Sequence, residues 1–135
     1  MVINDISPAD IAFRRVRKVH VVSDPKSPDG HRASAAAFAD DSDGSSMSVY
    51  LKSIVFDLGL TEASVVDGKP AGWAVAAVPV QTLADEQQVV IHEPVVGAAE
   101  PHPCDPAHCV VNGDKQPKAR RDRIAKLSPL VHVVS

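Results

Sequence analysis

The chain has 135 residues and a formal net charge of −3, and it is 44% hydrophobic and 23% charged. This length fits one domain with a single buried core, and the composition is that of a folded protein rather than a disordered one. The net negative charge argues against a globally basic nucleic-acid binder and leaves that role only to local patches. No apolar run approaches the roughly 20 residues that span a bilayer, so no membrane is expected as a partner.

The cysteines and prolines narrow the expectation further. Two cysteines, Cys104 and Cys109, without a signal-peptide-like first segment favour a cytoplasmic protein with reduced thiols. Eleven prolines cut the chain into short elements and exclude long helices. We therefore predict one α+β domain over residues 1–135, with a mixed sheet, short helices and a flexible loop at residues 96–106.

The beginning of the chain predicts a short helix followed by a basic strand. Ser7 and Pro8 are typical of a helix start, so one or two turns are expected over residues 6–12. Alternating residues predict a strand over residues 17–22, with His20 on the face opposite its valine neighbours. The cations of this region suit a solvated surface, with phosphate binding as the alternative. They are Arg14, Arg15, Arg17 and Lys18.

Two polar loops are predicted next, at residues 24–32 and 40–46. The second has alternating acidic residues, but it is not an EF-hand calcium loop. Counted from Asp41, the positions that need Gly and Glu hold Ser46 and Lys52. We interpret it as a solvated connection.

The remaining pattern alternates strands with short helices. Strands are predicted at residues 47–51, 72–80, 89–92, 108–111 and 130–134. Short helices are predicted at residues 53–58, 60–66, 81–87 and 116–126, and either a helical turn or a strand at 33–39. The 72–80 segment is continuously apolar and is expected to be the buried strand of the sheet.

Residues 101–109 gather four side chains that are able to bind zinc, namely His102, Cys104, His108 and Cys109. Two of them are neighbours in sequence and would point to opposite faces of a strand. The two-residue spacing of zinc ribbons is missing, and a disulfide is not required by the size of the fold. We therefore assign neither a metal nor a cofactor, and zinc binding at this turn stays a third possibility. We expect Cys109 to pack inward while Cys104 sits in the loop.

Two histidines are candidates for acid–base chemistry. If the strand of His20 lies beside the strand that begins at His108, the two imidazoles would flank a substrate and exchange protons near neutral pH. Arg32 or Lys115 would then neutralise charge on a phosphate. This arrangement suits a metal-independent nuclease or a nucleotide-processing enzyme, and the sequence leaves open whether the protein is an enzyme.

The C-terminal helix is a second candidate surface. A tight turn at Asn112 and Gly113 precedes it, so backbone donors at its start could bind an anion. Its cations would contact RNA or DNA phosphates or an acidic partner protein, or would remain solvated. They are Lys115, Lys118, Arg120, Arg121, Arg123 and Lys126.

Three short segments, SAAAF, SMSVYL and DPAHCVVNGDK, resemble segments of small bacterial proteins of unassigned function. The resemblance implies a bacterial cytoplasmic protein and carries over no catalytic residue. It draws attention to the turn over residues 105–108.

The sequence hypothesis is a small protein that binds a phosphate-bearing ligand, either RNA or a nucleotide. His108 and His20 are its predicted acid and base. The predicted ligand-binding residues are Arg32, Lys115, Lys118, Arg120 and Arg121. The alternative is a noncatalytic interaction subunit that docks on a partner protein through its basic C-terminal helix, and the oligomeric state is left open.

Overall fold

The computed structural model describes residues 2–41, 44 and 46–135. The predicted loop over residues 40–46 is thus described only in part, because Ser42, Asp43 and Ser45 lie outside these residues. The strands are β1 (Ile11–Val16), β2 (Val21–Ser23), β3 (His31–Ala33), β4 (Met47–Leu51), β5 (Ala74–Pro79), β6 (Val89–His92), β7 (His108–Asn112) and β8 (Leu130–Val133). The α-helices are α1 (Lys52–Asp57), α2 (Val80–Asp85) and α3 (Lys118–Lys126).

Six strands form one sheet in the order β6-β7-β4-β1-β5-β8, and β2 pairs with β3 in a separate hairpin. The predicted α+β class is confirmed. The sheet was expected to be mixed, but its five pairings are all antiparallel. Strands that run in the same direction, such as β4 and β5, are separated by an antiparallel neighbour, here β1.

The sheet is covered on both faces. On one face, Phe38, Leu83 and Ile124 pack on the strands from a 3-10 turn (Ala35–Phe38), from α2 and from α3. On the other face, Val55 of α1 packs beside Val65 of a second 3-10 turn, Glu62–Val66. Because β5 is buried between these layers, its sequence is apolar at nearly every position rather than alternating.

The helix predicted over residues 6–12 is wrong, since β1 begins at Ile11. Only a single turn forms there, in which the Asp10 N–H donates to the Ser7 carbonyl at 3.0 Å. The Asp10 carboxylate accepts hydrogen bonds from the Ile11 N–H and from the N–H and hydroxyl of Ser53, so it contacts the first turn of α1 instead of a helix of its own segment. Strand pairing on both sides of β1 outweighs the local helix signal.

The strand predicted over residues 17–22 is also largely wrong. A 3-10 turn occupies Lys18–His20, and strand structure resumes only at β2. Val19, expected on the strand face opposite His20, is 77% exposed. The chain leaves the main sheet here, since Val16 is the last residue of β1 to pair with β5.

Candidate functional site

A cleft opens in the middle of the main sheet, between β1 and β4. The two strands pair only through Ala12 with Leu51 and Phe13 with Tyr50. Beyond these pairs β1 continues alongside β5 as far as Val16. Toward its start at Met47, β4 stays paired with β7 and no longer pairs with β1. The resulting separation forms a cleft of about 320 Å³.

The side chain of Arg14 lies at the place where β1 and β4 separate. Its guanidinium donates to the carbonyls of Ala37 and Ser48 at 2.9 and 3.0 Å, and it pairs with Asp41 at 3.1 Å. Burial lowers the pKa of Arg14 and the neighbouring Asp41 carboxylate opposes that shift. Arg14 therefore uses its donors on the protein itself and holds the two edges of the cleft together.

The lining of the cleft carries an excess of positive charge. It contains four cations and two carboxylates, together with one histidine, one tyrosine and the single tryptophan of the chain. They are Arg14, Arg15, Arg17, Lys69, Asp40, Asp41, His20, Tyr50 and Trp73. Both carboxylates are already paired, Asp41 with Arg14 and Asp40 with Lys115 at 2.7 Å.

Three of these cations are held over aromatic rings. The guanidinium carbon of Arg15 lies 4.8 Å from the centroid of Tyr50, and Arg15 Nε donates to the Val65 carbonyl at 2.6 Å. Arg17 and Lys69 lie 5.9 and 5.1 Å from the centroid of Trp73. Within the described part of the chain, none of these three cations has a carboxylate within ion-pair distance.

The electrostatics of the cleft disfavour further positive charge. Burial, and then the charges of Arg15 and Arg17, lower the pKa of Lys69. Burial, and then the charges of Arg17 and Arg14, lower the pKa of His20 from its ordinary value of 6.5. His20 is therefore mainly neutral at pH 7 while the cleft holds no anion.

His108 lies behind two residues that line the cleft, Ser48 and Tyr50. Its Nδ1 is 2.8 Å from the Glu93 carbonyl oxygen, and its Nε2 is 3.1 Å from Ser48 Oγ. The imidazole meets the Tyr50 ring edge-on, with 5.6 Å between centroids. Contacts on three sides thus fix the orientation of this ring.

The two predicted catalytic histidines, His20 and His108, do not lie on neighbouring strands as expected. His20 is in a 3-10 turn rather than a strand, and the neighbours of β7 are β4 and β6. His20 nevertheless lines the cleft, and His108 contacts two residues that line it. The opening between β1 and β4, rather than a strand pairing, brings them to one region.

Neither Arg32 nor Lys115 lines the cleft, although Lys115 contacts the lining residue Asp40. Arg32 is on the β3 hairpin strand, where it pairs with Asp24 at 3.6 Å. Lys115 is 5% exposed, and its ammonium donates to the carbonyls of Val111 and Gly113 as well as pairing with Asp40. The ammonium of Lys115 is thus engaged by three oxygens of the protein.

Four of the five cations of α3 are also engaged by neighbours, and Lys126 is the exception among the described contacts. Lys118 pairs with Asp122 at 2.9 Å, and Arg123 forms a bidentate pair with Glu86. Arg120 donates to the Asp114 carbonyl, and Arg121 donates to the carbonyls of Lys115 and Gln116. These contacts give little support to α3 as a free cationic docking surface for RNA or for a partner protein.

The cysteines do not form a zinc or disulfide cluster. Both are free and buried, Cys109 in the core on one face of the sheet and Cys104 in the core on the other. Cys104 was expected in the loop, and it lies there, just before the 3-10 turn Asp105–Ala107, but its side chain is buried in the same cluster as Ala107. Burial raises the pKa of Cys109 to about 12. Among the described residues, no three His, Cys, Asp or Glu side chains are grouped closely enough to hold a metal ion.

Sequence reasoning missed Ser48, Tyr50, Lys69 and Trp73 as members of the site. Lys69 and Trp73 come from a segment about 50 residues after β1 in the chain. Their one local signal is a pair of turn glycines, Gly68 and Gly72, with φ of +81° and +92°. At Gly72 a side chain would collide with Lys18, so this glycine permits the close approach that positions Trp73.

None of the helices in the described part of the chain has the length and apolarity that crossing a membrane requires. Comparison with known proteins found no matching family model, no similar curated protein and no similar solved structure.

Proposed function

We propose that the protein binds a phosphate-bearing ligand, a nucleotide in the first place, in the cleft between β1 and β4. The observation that carries this proposal is the grouping of Arg15, Arg17 and Lys69 in one concave site without carboxylate partners among the described residues. Clustered cations repel one another, and an anion between them removes that repulsion. Burial is the main cause of the lowered pKa of Lys69, and the charges of Arg15 and Arg17 add to it, as expected where cations are grouped.

A nucleotide fits the cleft better than a long RNA does. The volume of about 320 Å³ is at the lower end of the range for small-ligand pockets, which is roughly 300–1,000 Å³. Trp73 adds an aromatic ring beside the cations, the kind of group on which nucleotide bases stack. An RNA would need a longer basic track, and the α3 cations that could extend it are engaged within the protein.

Hydrolysis or group transfer at the bound phosphate is part of the proposal. His20 is mainly neutral near pH 7 and is able to accept a proton at the cleft. His108 reaches the cleft through Ser48. We also propose, from the two free thiols and the sequence resemblance, that the protein functions in the bacterial cytoplasm.

Fluorescence of Trp73 tests the binding proposal, because this is the single tryptophan and two of the cations lie against it. Titration with AMP, ATP and a short single-stranded RNA should give a saturable change for a nucleotide that weakens at higher salt. Arg17→Gln should weaken affinity roughly tenfold, the value of one charge-assisted hydrogen bond.

Arg120→Gln is the matched control, since it removes the same charge from α3 and should leave affinity unchanged. Equal weakening by both substitutions would contradict the cleft as the binding site. No response to any nucleotide, with a response to RNA alone, would contradict the nucleotide assignment.

A further inference from the structure

Ser48 and His108 form a hydrogen-bonded pair at the wall of the cleft. Ser48 lines the cleft, and its Oγ lies 3.1 Å from Nε2 of His108. The pair arises from strand register, because His108 pairs with Tyr50 and Ser48 pairs with Val110. Ser48 and His108 are therefore diagonal neighbours on one face of the sheet, a spacing that long side chains can bridge.

The second contact of His108 sets which ring nitrogen carries the proton. Nδ1 lies 2.8 Å from the Glu93 carbonyl oxygen, which is able only to accept a hydrogen bond. The neutral imidazole therefore keeps its proton on Nδ1 and presents the Nε2 lone pair to the Ser48 hydroxyl. A serine, a histidine that accepts its proton and a fixed acceptor behind that histidine are the parts of an activated nucleophile.

The surroundings of Ser48 suit attack on a phosphate. Arg15 and Arg17 line the same cleft and would neutralise charge on the phosphate oxygens. Asp41 is a second acceptor for the Ser48 hydroxyl, at 3.2 Å, but it is paired with Arg14. Asp41 thus serves as the ion-pair partner of Arg14, and His108 is the acceptor that takes the proton away.

We propose that Ser48 is a nucleophile, that His108 is its general base, and that the protein transfers the phosphoryl group of a phosphate ester through a covalent phosphoserine. This inference rests on the proposed function, since the same cleft must bind the phosphate. It adds the reaction class and names the atom that attacks.

The reaction has two balanced steps. In the first, Ser48 Oγ forms a bond to phosphorus, its proton passes to Nε2 of His108, and the bond from phosphorus to the ester oxygen breaks. The leaving oxygen takes the electron pair of that bond and receives a proton from solvent. After His108 returns its proton to solvent, water attacks the phosphoserine. Its proton passes to His108, and the proton returns to Ser48 Oγ as phosphate leaves.

A fluorophosphonate probe tests the nucleophile on the unaltered chain. Attack by Ser48 Oγ forms a bond to phosphorus and releases fluoride, while the Ser48 proton passes to His108. We expect one adduct per chain by intact mass, located on Ser48 by peptide mass spectrometry. No adduct, or an adduct on another residue alone, would overturn the proposal.

Two variants distinguish a serine that His108 activates from a serine that reacts only because it is exposed. His108→Gln should slow labelling by roughly 100-fold or more, the usual contribution of a general base. Ser46→Ala is the matched control, because the Ser46 hydroxyl is on the neighbouring stretch and bonds to Asn112. It should label like the unaltered chain. Unchanged labelling in His108→Gln, with folding verified by circular dichroism, would overturn the role of His108.

The nucleotide titration of Trp73 distinguishes failure of this inference from failure of the proposed function. Ser48→Ala should abolish labelling while nucleotide still changes Trp73 fluorescence. Nucleotide binding without any labelling of Ser48 would overturn the nucleophile and leave the binding proposal standing. Labelling of Ser48 without any nucleotide or phosphate binding would overturn the binding proposal, and phosphoryl transfer with it.

Discussion

The cleft and helix α3 are the two cation-rich regions of this protein, and they use their cations in opposite ways. In α3, Lys118, Arg120, Arg121 and Arg123 each contact a carboxylate or a backbone carbonyl of the protein. In the cleft, Arg15, Arg17 and Lys69 lie against aromatic rings instead of carboxylates. The two regions contain similar numbers of cations, but we place the positive charge that is available to a ligand mainly in the cleft.

This difference explains why the denser run of cations is the weaker candidate. A cation that already donates to its own protein must break those contacts to bind a ligand, and that loss offsets the gain. The side chains of Arg17 and Lys69 donate to no described residue, and Arg15 uses only its Nε, on the Val65 carbonyl. The predictions below test whether this distinction governs stability and binding.

The largest expected effect is on stability, at the inner end of the cleft. Arg14→Ala would leave the carbonyls of Ala37 and Ser48 and the Asp41 carboxylate without their donor. We expect the free energy of unfolding to fall by about 3 kcal/mol or more, as for a broken buried ion pair. Urea denaturation measures this, with the exposed Lys126→Ala as a control that should change it by less than about 0.5 kcal/mol. Equal effects would contradict a structural role for Arg14.

The second prediction concerns how pH changes the affinity of the cleft for an anion. The lowered pKa of His20 means that its contribution to stability is complete above its ordinary value of 6.5 and is lost as pH falls below it. A bound anion favours protonated His20, so sulfate, whose charge is constant in this range, should bind more tightly at pH 5.5 than at pH 7.5. We expect about a fivefold gain, or roughly 1 kcal/mol.

Denaturation temperatures with and without sulfate give this pH dependence. His20→Gln should flatten it, and His31→Gln, on the β3 hairpin, should not. A sulfate affinity that is independent of pH in the unaltered protein would argue against His20 at the anion site.

The smallest effect is expected on α3. The hydrogen bond from Arg123 lowers the pKa of Glu86, so this pair contributes stability above the ordinary value of 4.5 and loses it as pH falls through the lowered pKa. The difference in denaturation temperature between the unaltered protein and Glu86→Gln should therefore shrink between pH 6 and pH 3. Nucleotide affinity at pH 7 should be the same in both proteins. A weaker nucleotide affinity in Glu86→Gln would indicate that α3 belongs to the binding site and would contradict this prediction.

Much of the fold was predictable because most elements are encoded locally. Strands β4 and β6 fall on the predicted residues, and α1 ends at Asp57, two residues before Gly59, whose φ is +77°. The N-terminal helix was wrong because its start signals were genuine but weak. Pairing of β1 with two neighbours decided the outcome there, and a local pattern does not reveal such pairing.

The site was less predictable than the fold. His20 and His108 were chosen for their chemistry, while the cations around them were assigned mainly to a solvated surface. The cleft exists because β1 and β4 separate after two residue pairs, and a separation of that kind depends on tertiary packing. Lys69 and Trp73 reach the cleft from a distant turn, so no spacing in the sequence connects them to Arg15 or Arg17.

The most direct test of the central claim is a calorimetric titration of ATP into two matched double variants. Arg15→Gln with Arg17→Gln removes two cations from the cleft, and Arg120→Gln with Arg121→Gln removes two from α3. We predict a loss of affinity on the order of 100-fold for the first variant and no change for the second. Equal losses, or a larger loss in the α3 variant, would contradict the cleft as the site of binding.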